Sequence, residues 1–301
     1  MIDYIKSNYA YLVVGGDSLV GEGLLHALEE RGHRAYSTTR RIDTLNSKRV
    51  NLDFEKFEEF IPPSDVDLIF VVAAATNYER CEKDPLARKI NVELIPRFVE
   101  AQLQRGLFVI FISTNSVFGG EKPWPAEDDP HLPGIPYAQQ KSEAEAAIRT
   151  AAVKLGTENR LAIVRLTKIL DSNTSPLPNW FSAWSKGEVI EPFEDLIFAP
   201  MSVQYVGRAL SILGEKRISG NLHLSGSENV SYVKFARELA NAVSASNVPI
   251  ASTTSIQKGI NIAFKPTYSG LGMVRTTNLS GVLPQTLGSV IADLLAARQF
   301  K

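Results

Sequence analysis

Tyr137 and Lys141 are the side chains whose types and spacing point most directly to chemistry. They stand four residues apart in the stretch PYAQQK, so a helix would present both on one face. An ammonium group beside a phenol favours the tyrosinate and lowers the pKa of the phenol from about 10 toward the working range. A tyrosine tuned in this way can donate its proton to a carbonyl oxygen. The pair therefore indicates a general acid and the cation that tunes it.

A pair of hydroxyls upstream supplies the context that this short pattern needs, since tyrosine and lysine also occur at this spacing by chance. The apolar run LFVIFIST ends at Ser113 and Thr114. A parallel sheet binds its ligands at the carboxyl ends of its strands. A hydroxyl at this strand end can therefore join Tyr137 around one carbonyl group.

The stretch YLVVGGDSLVGEGLLHALEERG has the order of a strand, a tight turn and a helix. An apolar run leads into Gly15 and Gly16, and leucines at helical spacing follow Gly21. A helix that begins at such a turn points free backbone N–H groups at the place where a phosphate commonly binds. This stretch therefore predicts a phosphate site.

Two phosphate-binding motifs compete for this turn. Gly16 and Gly21 have the spacing of a P-loop, but a glutamate and a glycine follow them in place of the required lysine and hydroxyl residue. The dinucleotide fingerprint fits better, with Gly15 and Gly21 at its outer positions and Ser18 at its middle one. The Ser18 hydroxyl could itself donate to a phosphate oxygen. A glycine-rich turn without a ligand is the alternative.

The second predicted strand indicates which nucleotide would bind. Arg40 lies 19 residues beyond Gly21, Arg41 is next to it, and the segment has no acid before Asp43. In dinucleotide-binding folds an acid at this place binds the ribose hydroxyls of NAD, whereas an arginine accommodates the 2′-phosphate of NADP. We therefore predict NADP rather than NAD, with help from the Thr39 hydroxyl. A solvated basic turn is the alternative.

The order of these motifs resembles the extended short-chain dehydrogenase/reductases, most nearly their dTDP-4-dehydrorhamnose reductase branch. The resemblance is carried by the glycine turn, VVAAATNYERCEKDPLARKINV, FISTNSVFGG and PYAQQK, and it extends through GNLHLSGSENVSYVKFARELA. It implies that Thr114 polarises a substrate carbonyl, that Tyr137 is the general acid, and that Lys141 holds the nicotinamide ribose. It also implies a mainly structural role for Asn91 near the cofactor. The further residues that it assigns to the cofactor are Leu19, Val20, Asp53, Ala73, Ala74 and Ala75.

Two residues depart from the pattern of that family. Asn115 and Ser116 follow Thr114, where related sugar-nucleotide dehydratases carry an aspartate and a glutamate for water elimination. The rhamnose reductases carry an aspartate and a tyrosine there. We therefore predict that this protein does not dehydrate its substrate, and a sugar different from that of the rhamnose reductases stays an open alternative.

The strands and helices that would position these residues alternate along the sequence. Apolar runs predict strands at 11–14, 34–39, 68–73, 108–113 and 161–166, and helical patterns fall at 21–31, 84–105 and 137–155. This alternation predicts an α/β fold of the Rossmann type, a doubly wound parallel sheet with a smaller C-terminal substrate-binding lobe. The predicted NADP-binding domain comprises 1–166 with about 201–225, and the predicted lobe comprises 167–200 and 226–301. In that lobe, packing in the core or at the lobe interface is favoured over sugar stacking for Trp180, Phe181 and Trp184.

Composition restricts the classes of partner. The 301 residues are 44% hydrophobic with a formal net charge of −1, which disfavours nucleic-acid and membrane surfaces and favours a small ligand. Cys81 is the single cysteine and the histidines lack metal-ligand spacing, so neither a disulfide nor a metal is predicted. The N-terminal apolar run is too short for a signal peptide or a membrane span. We expect the protein to be cytoplasmic and to be able to form a homodimer.

Together these features predict an NADPH-dependent reductase of a keto sugar nucleotide. One alternative is an NAD-dependent sugar-nucleotide epimerase, which would keep its NAD bound through a redox cycle. The alternative of another class is a catalytically idle subunit that binds NADP(H) and regulates a partner. The presence of Thr114, Tyr137 and Lys141 together argues against the idle subunit.

Overall fold

The computed structural model describes residues 10–245, 247 and 249–299. The β-strands are β1 Ala10–Val14, β2 Arg34–Thr39, β3 Arg49–Asn51, β4 Val66–Val71, β5 Phe108–Thr114, β6 Leu161–Leu166, β7 Lys168–Leu170, β8 Ile197–Phe198, β9 Pro200–Ser202, β10 Gly220–Leu224 and β11 Val230–Ser231. The α-helices are α1 Leu19–Glu30, α2 Tyr78–Lys83, α3 Pro85–Lys89, α4 Ile95–Gln104, α5 Pro136–Leu155, α6 Leu177–Ser185, α7 Val203–Glu215, α8 Tyr232–Ala242, α9 Val274–Ser280 and α10 Leu287–Gln299.

Seven strands form one sheet in the order β10-β6-β5-β4-β1-β2-β3. The pairs β1–β2, β1–β4, β2–β3 and β4–β5 are parallel. Strands β1 and β6 are buried at every residue. This explains why β1 appears in the sequence as an unbroken apolar run and why β6 is apolar except at Arg165. This sheet confirms the predicted α/β fold. Because the strand order reverses at β1 and β4, the carboxyl ends of these two strands mark the place where such folds bind ligands.

The predicted helix at 84–105 is present but contains a wider turn. Helix α3 runs into a π-helical turn, Ile90–Leu94, and this turn leads into α4. The Ile95 amide donates to the Ile90 carbonyl, five residues back. Pro96 follows directly and has no N–H to donate, so the ordinary hydrogen-bond pattern is interrupted here. Turns of this kind often occur at functional sites.

The chain forms two compact units. The first comprises the described parts of Met1–Ser113, with Gln139–Val164 and Gly207–Asn221, and the second comprises the remainder of the described residues. Apolar side chains of β1, β4, β5, β6, α4 and α5 form a core in the first unit. Trp180, Phe181 and Trp184 are buried in the core of the second unit, as the favoured interpretation predicts.

The segment Thr114–Ala138 belongs to the second unit, whereas the predicted domain boundary puts it with the first. Its backbone explains this difference. The Tyr268 amide donates to the Gly120 carbonyl at 2.8 Å, and the Gly272 amide donates to the Pro125 carbonyl at 3.0 Å. These hydrogen bonds join segments about 150 residues apart, a relation that no local pattern encodes. The assignment of cofactor and substrate binding to separate domains stays a prediction.

Candidate active site

The turn after β1 packs directly on the backbone that follows β4. Gly15 has φ of +95°, in the left-handed region that favours glycine. A Cβ added to Gly15 would lie 2.8 Å from the Ala73 nitrogen. The Ala73 amide in turn donates to the Val14 carbonyl at 2.9 Å. Both the backbone conformation and the lack of space therefore require glycine at this position.

Helix α1 begins on the same turn. A Cβ on Gly21 would lie 2.3 Å from the Gly15 carbonyl oxygen, so the outer glycines of the fingerprint touch each other. Ser18 caps the helix: its hydroxyl donates to the Gly15 carbonyl at 2.8 Å and accepts from the Gly21 amide at 3.1 Å. The Ser18 proton is thus already used within the turn. The amides of Leu19 and Val20 stand in the first turn of α1, where helices lack internal acceptors.

An acidic residue of this turn lies at the end of β2. The Thr39 hydroxyl donates to the Asp17 carboxylate at 2.6 Å, and Arg49 of β3 forms an ion pair with the same carboxylate. The side chains of Arg40 and Arg41 are exposed just beyond β2. The segment from Arg34 to Arg41 contains no acid, yet the fold brings one to it. No local sequence pattern predicts this contact, because Asp17 and Thr39 are 22 positions apart.

Asn91 fixes the backbone beside the glycine turn. Its side chain accepts from the Ala75 amide and donates to the Ala75 carbonyl, both at 2.9 Å. It also donates to the Gln140 side chain at 2.9 Å, and Gln140 donates to the Cys81 carbonyl at 2.7 Å. Asn91 is 1% exposed. This residue therefore orders the Ala73–Ala75 segment against α5 through side-chain hydrogen bonds.

Asp53 has a local role in the structure. Its carboxylate accepts from the Glu55 amide at 3.0 Å and caps the short 3-10 helix Phe54–Glu59. The side chain is exposed. The contact with a cofactor that the resemblance implies for Asp53 stays a prediction.

Lys141 is buried against β5. Its side chain is 2% exposed, and its Nζ donates to the Ile112 carbonyl at 2.6 Å and lies 3.9 Å from the centre of the Phe111 ring. Burial lowers the pKa of Lys141 to about 7, although the Glu145 and Cys81 side chains oppose this shift. A lysine so placed changes its charge near neutral pH, which ordinary surface lysines do not.

Thr114 ends β5 and begins the next turn. Its hydroxyl accepts from the Ser116 amide at 3.2 Å and lies 3.1 Å from the Ser116 hydroxyl. Asn115 donates to the carbonyl and the hydroxyl of Ser269 at 2.9 and 3.0 Å. The residues that depart from the family pattern are therefore held within the second unit. Tyr137 is half-buried in the first turn of α5, one helical turn before Lys141.

Among residues 10–245, 247 and 249–299, no group of three or more His, Cys, Asp or Glu side chains is arranged to hold a metal ion. Within the same ranges, no helix has both the length and the apolar character needed to cross a membrane.

The sheet order, the glycine turn after its central strand, and a tyrosine and lysine one turn apart on α5 define the class of extended short-chain dehydrogenase/reductases. Within it, this chain belongs to the family described as RmlD substrate binding domain, whose model matches residues 10–299.

Two relatives and one solved structure are similar to this chain. A probable low-salt glycan biosynthesis reductase, Agl14, of Haloferax volcanii is 25% identical over 96% of this chain and 98% of its own length. The methionine adenosyltransferase 2 subunit beta of Bos taurus is 25% identical over 78% of this chain and 72% of its own length. The crystal structure of a Bacillus anthracis dTDP-4-dehydrorhamnose reductase in complex with NADP superposes on this chain with a TM-score of 0.78 at 20% identity. The match covers 98% of this chain and 99% of the other.

Proposed function

We propose that this protein is an NADPH-dependent reductase that acts on a keto sugar nucleotide. The observation that carries the proposal is the arrangement of α5, which has Tyr137 and Lys141 one turn apart, with the Lys141 ammonium held by the Ile112 carbonyl of β5. The relatives support it, since one is named as a reductase of glycan biosynthesis and another as a reductase in complex with NADP.

The residues of the first unit fit a dinucleotide cofactor. Gly15 lets the turn pack closely on the Ala73 backbone, which any Cβ would prevent, and the amides at the start of α1 can donate to a pyrophosphate. Arg40 and Arg41 would meet a 2′-phosphate, with Thr39 and Asp17 beside them. When bound, the nicotinamide would supply the hydride for reduction.

Each catalytic residue has a separate task in this proposal. Tyr137 donates its proton to the carbonyl oxygen of the substrate, and Thr114 donates a hydrogen bond to the same oxygen and fixes its position. Lys141 holds the nicotinamide ribose and favours ionisation of Tyr137 by its charge. Because Lys141 is buried, its charge is less screened by water than that of a surface lysine.

A screen of purified protein against keto sugar nucleotides tests this function. We expect NADPH oxidation, followed by its absorbance, with at least one nucleotide-linked keto sugar and with the reduced sugar as the product. Product with no net NADPH consumption, together with copurified NAD, would instead identify an epimerase.

One relative favours a second candidate function. The similarity to a methionine adenosyltransferase 2 subunit beta allows a regulatory subunit that binds NADP(H) without turnover. Under this alternative NADPH binds, no keto sugar nucleotide is reduced, and replacement of Tyr137 by phenylalanine changes nothing that can be measured. Any turnover that depends on Tyr137 excludes it.

We expect NADPH to bind roughly 10 to 100-fold more tightly than NADH, because a 2′-phosphate contacting arginine forms charge-assisted hydrogen bonds. Replacing Arg40 and Arg41 together by alanine should remove most of this preference and spare NADH affinity. Calorimetry with both cofactors measures it. Arg97→Ala is the control, since that exposed arginine pairs with Glu58. A wild-type preference for NADH would mean that Asp17 governs the choice and would favour the epimerase.

Assembly and location are also part of the proposal. A homodimer would appear in light scattering as twice the mass of 33.1 kDa. A cytoplasmic location is consistent with the nucleotide substrate that we propose and is testable by fractionation of the source cells.

A further inference from the structure

Three consecutive residues of β5 hold two residues of α5 that are one helical turn apart. The Phe111 ring lies under the Lys141 ammonium, and the Ile112 carbonyl accepts its hydrogen bond. The next residue, Ser113, donates its hydroxyl to the Glu145 carboxylate at 2.5 Å. Lys141 and Glu145 are thus fixed against the same strand by neighbouring residues.

Glu145 is a buried carboxylate with a defined set of partners. It is 0% exposed, and besides Ser113 it is paired with Arg149 at 3.0 Å. Arg149 also donates to the Asn221 side chain at 3.2 Å. A carboxylate taken fully out of water is costly unless it is paired and hydrogen-bonded. The fold therefore keeps a costly buried carboxylate one helical turn after Lys141, where an apolar side chain would pack without this cost.

We propose that Glu145 is a positioning residue for catalysis: anchored by Ser113 and shared with Arg149, its carboxylate is a fixed negative charge one helical turn from the Lys141 ammonium, and it stabilises that ammonium. This inference rests on the proposed function for the role of Lys141, but the contacts between β5 and α5 do not depend on it. The groups that contribute charge at Lys141 are Glu145 from its own helix and Cys81 from α2. Burial raises the pKa of Cys81, whereas the Arg80 charge lowers it.

The electrostatic direction follows from these partners. Burial lowers the pKa of Lys141 and the Glu145 charge raises it, and the two effects together leave this pKa at about 7. Without the Glu145 charge only desolvation and the weaker influence of Cys81 remain, so the pKa must fall further. The two residues are one helical turn apart on α5, and loss of an opposite charge from a neighbouring turn moves a pKa by roughly one unit. At pH 7 most Lys141 side chains would then be neutral.

The decisive experiment is an NMR titration of the full-length protein with ¹⁵N-labelled lysine, in which Lys141→Met identifies the Lys141 signal. Glu145→Gln should lower the Lys141 midpoint by about one pH unit. Arg149→Met should raise it, because the carboxylate is then no longer shared. Glu143→Gln is the matched control, since this exposed glutamate lies on the same helix and pairs with Arg88 at the surface. It should leave the midpoint unchanged.

Turnover gives a second readout. With the midpoint one unit lower, the charged fraction of Lys141 at pH 7 falls about fivefold, so Glu145→Gln should lose about fivefold in turnover at pH 7 and recover at pH 6. A variant damaged only in its packing would not recover. Equal midpoints for wild type and Glu145→Gln overturn the proposal, and if that variant does not fold, an unchanged midpoint in Arg149→Met does so. If no keto sugar nucleotide is reduced, the proposed function fails while the titration still decides the role of Glu145.

Discussion

Replacing Tyr137 by phenylalanine is expected to lower turnover by roughly 10² to 10⁴-fold, the range for loss of a general acid, while NADPH affinity stays nearly unchanged. The substitution removes one hydroxyl and keeps the ring at the start of α5. Lys141 keeps its hydrogen bond to Ile112, so its proposed contact with the ribose should persist. Single-turnover NADPH oxidation is the proper measurement, because slow product release could hide part of the effect.

Tyr36→Phe is the matched control for this prediction. The Tyr36 hydroxyl donates to Asp65 at 3.1 Å, so the same chemical change is made at a residue outside the proposed machinery. We expect its turnover to equal that of the wild type. Turnover of Tyr137→Phe equal to wild type would remove Tyr137 from the mechanism.

Replacing Gly15 by valine is expected to abolish NADPH binding. Valine is strained at φ of +95°, and its Cβ would approach the Ala73 nitrogen to 2.8 Å. The turn and the backbone after β4 would have to separate, and the amides at the start of α1 would move with them. Calorimetry measures the loss of binding, and a thermal melt shows whether the variant remains folded.

Two controls separate binding from folding in this experiment. Gly32 has φ of +77° with nothing within 4 Å of an added Cβ, so Gly32→Val carries the backbone strain without the collision. We expect it to lose stability and keep NADPH affinity. Ser18→Gly should preserve or modestly improve affinity and cost only a few tenths of a kcal/mol from the lost cap. Wild-type affinity in Gly15→Val would show that the phosphates bind elsewhere.

Features that depend on neighbours along the chain can be derived from the amino-acid sequence alone. Strands β1, β5 and β6 are buried on both faces, so each contains an apolar run of at least four residues that can be recognised without the fold. The spacing of Tyr137 and Lys141 fixes their common helix face because the period of a helix is a local property. The need for glycine at residue 15 is likewise visible, since a strand followed at once by a helix requires a tight turn.

Contacts between residues far apart in the sequence become visible only in the folded chain. Strand β3 has the sequence RVN, which carries no pattern of its own, and it forms because β2 offers it a free edge. Asp17 meets Thr39 across 22 positions, and Ser113 meets Glu145 across 32. The shifted pKa of Lys141 likewise arises from burial beneath β5. Burial and long-range pairing are properties of the packed chain. They depend on which surfaces pack against each other and exclude water, and not on the neighbouring residues in the sequence.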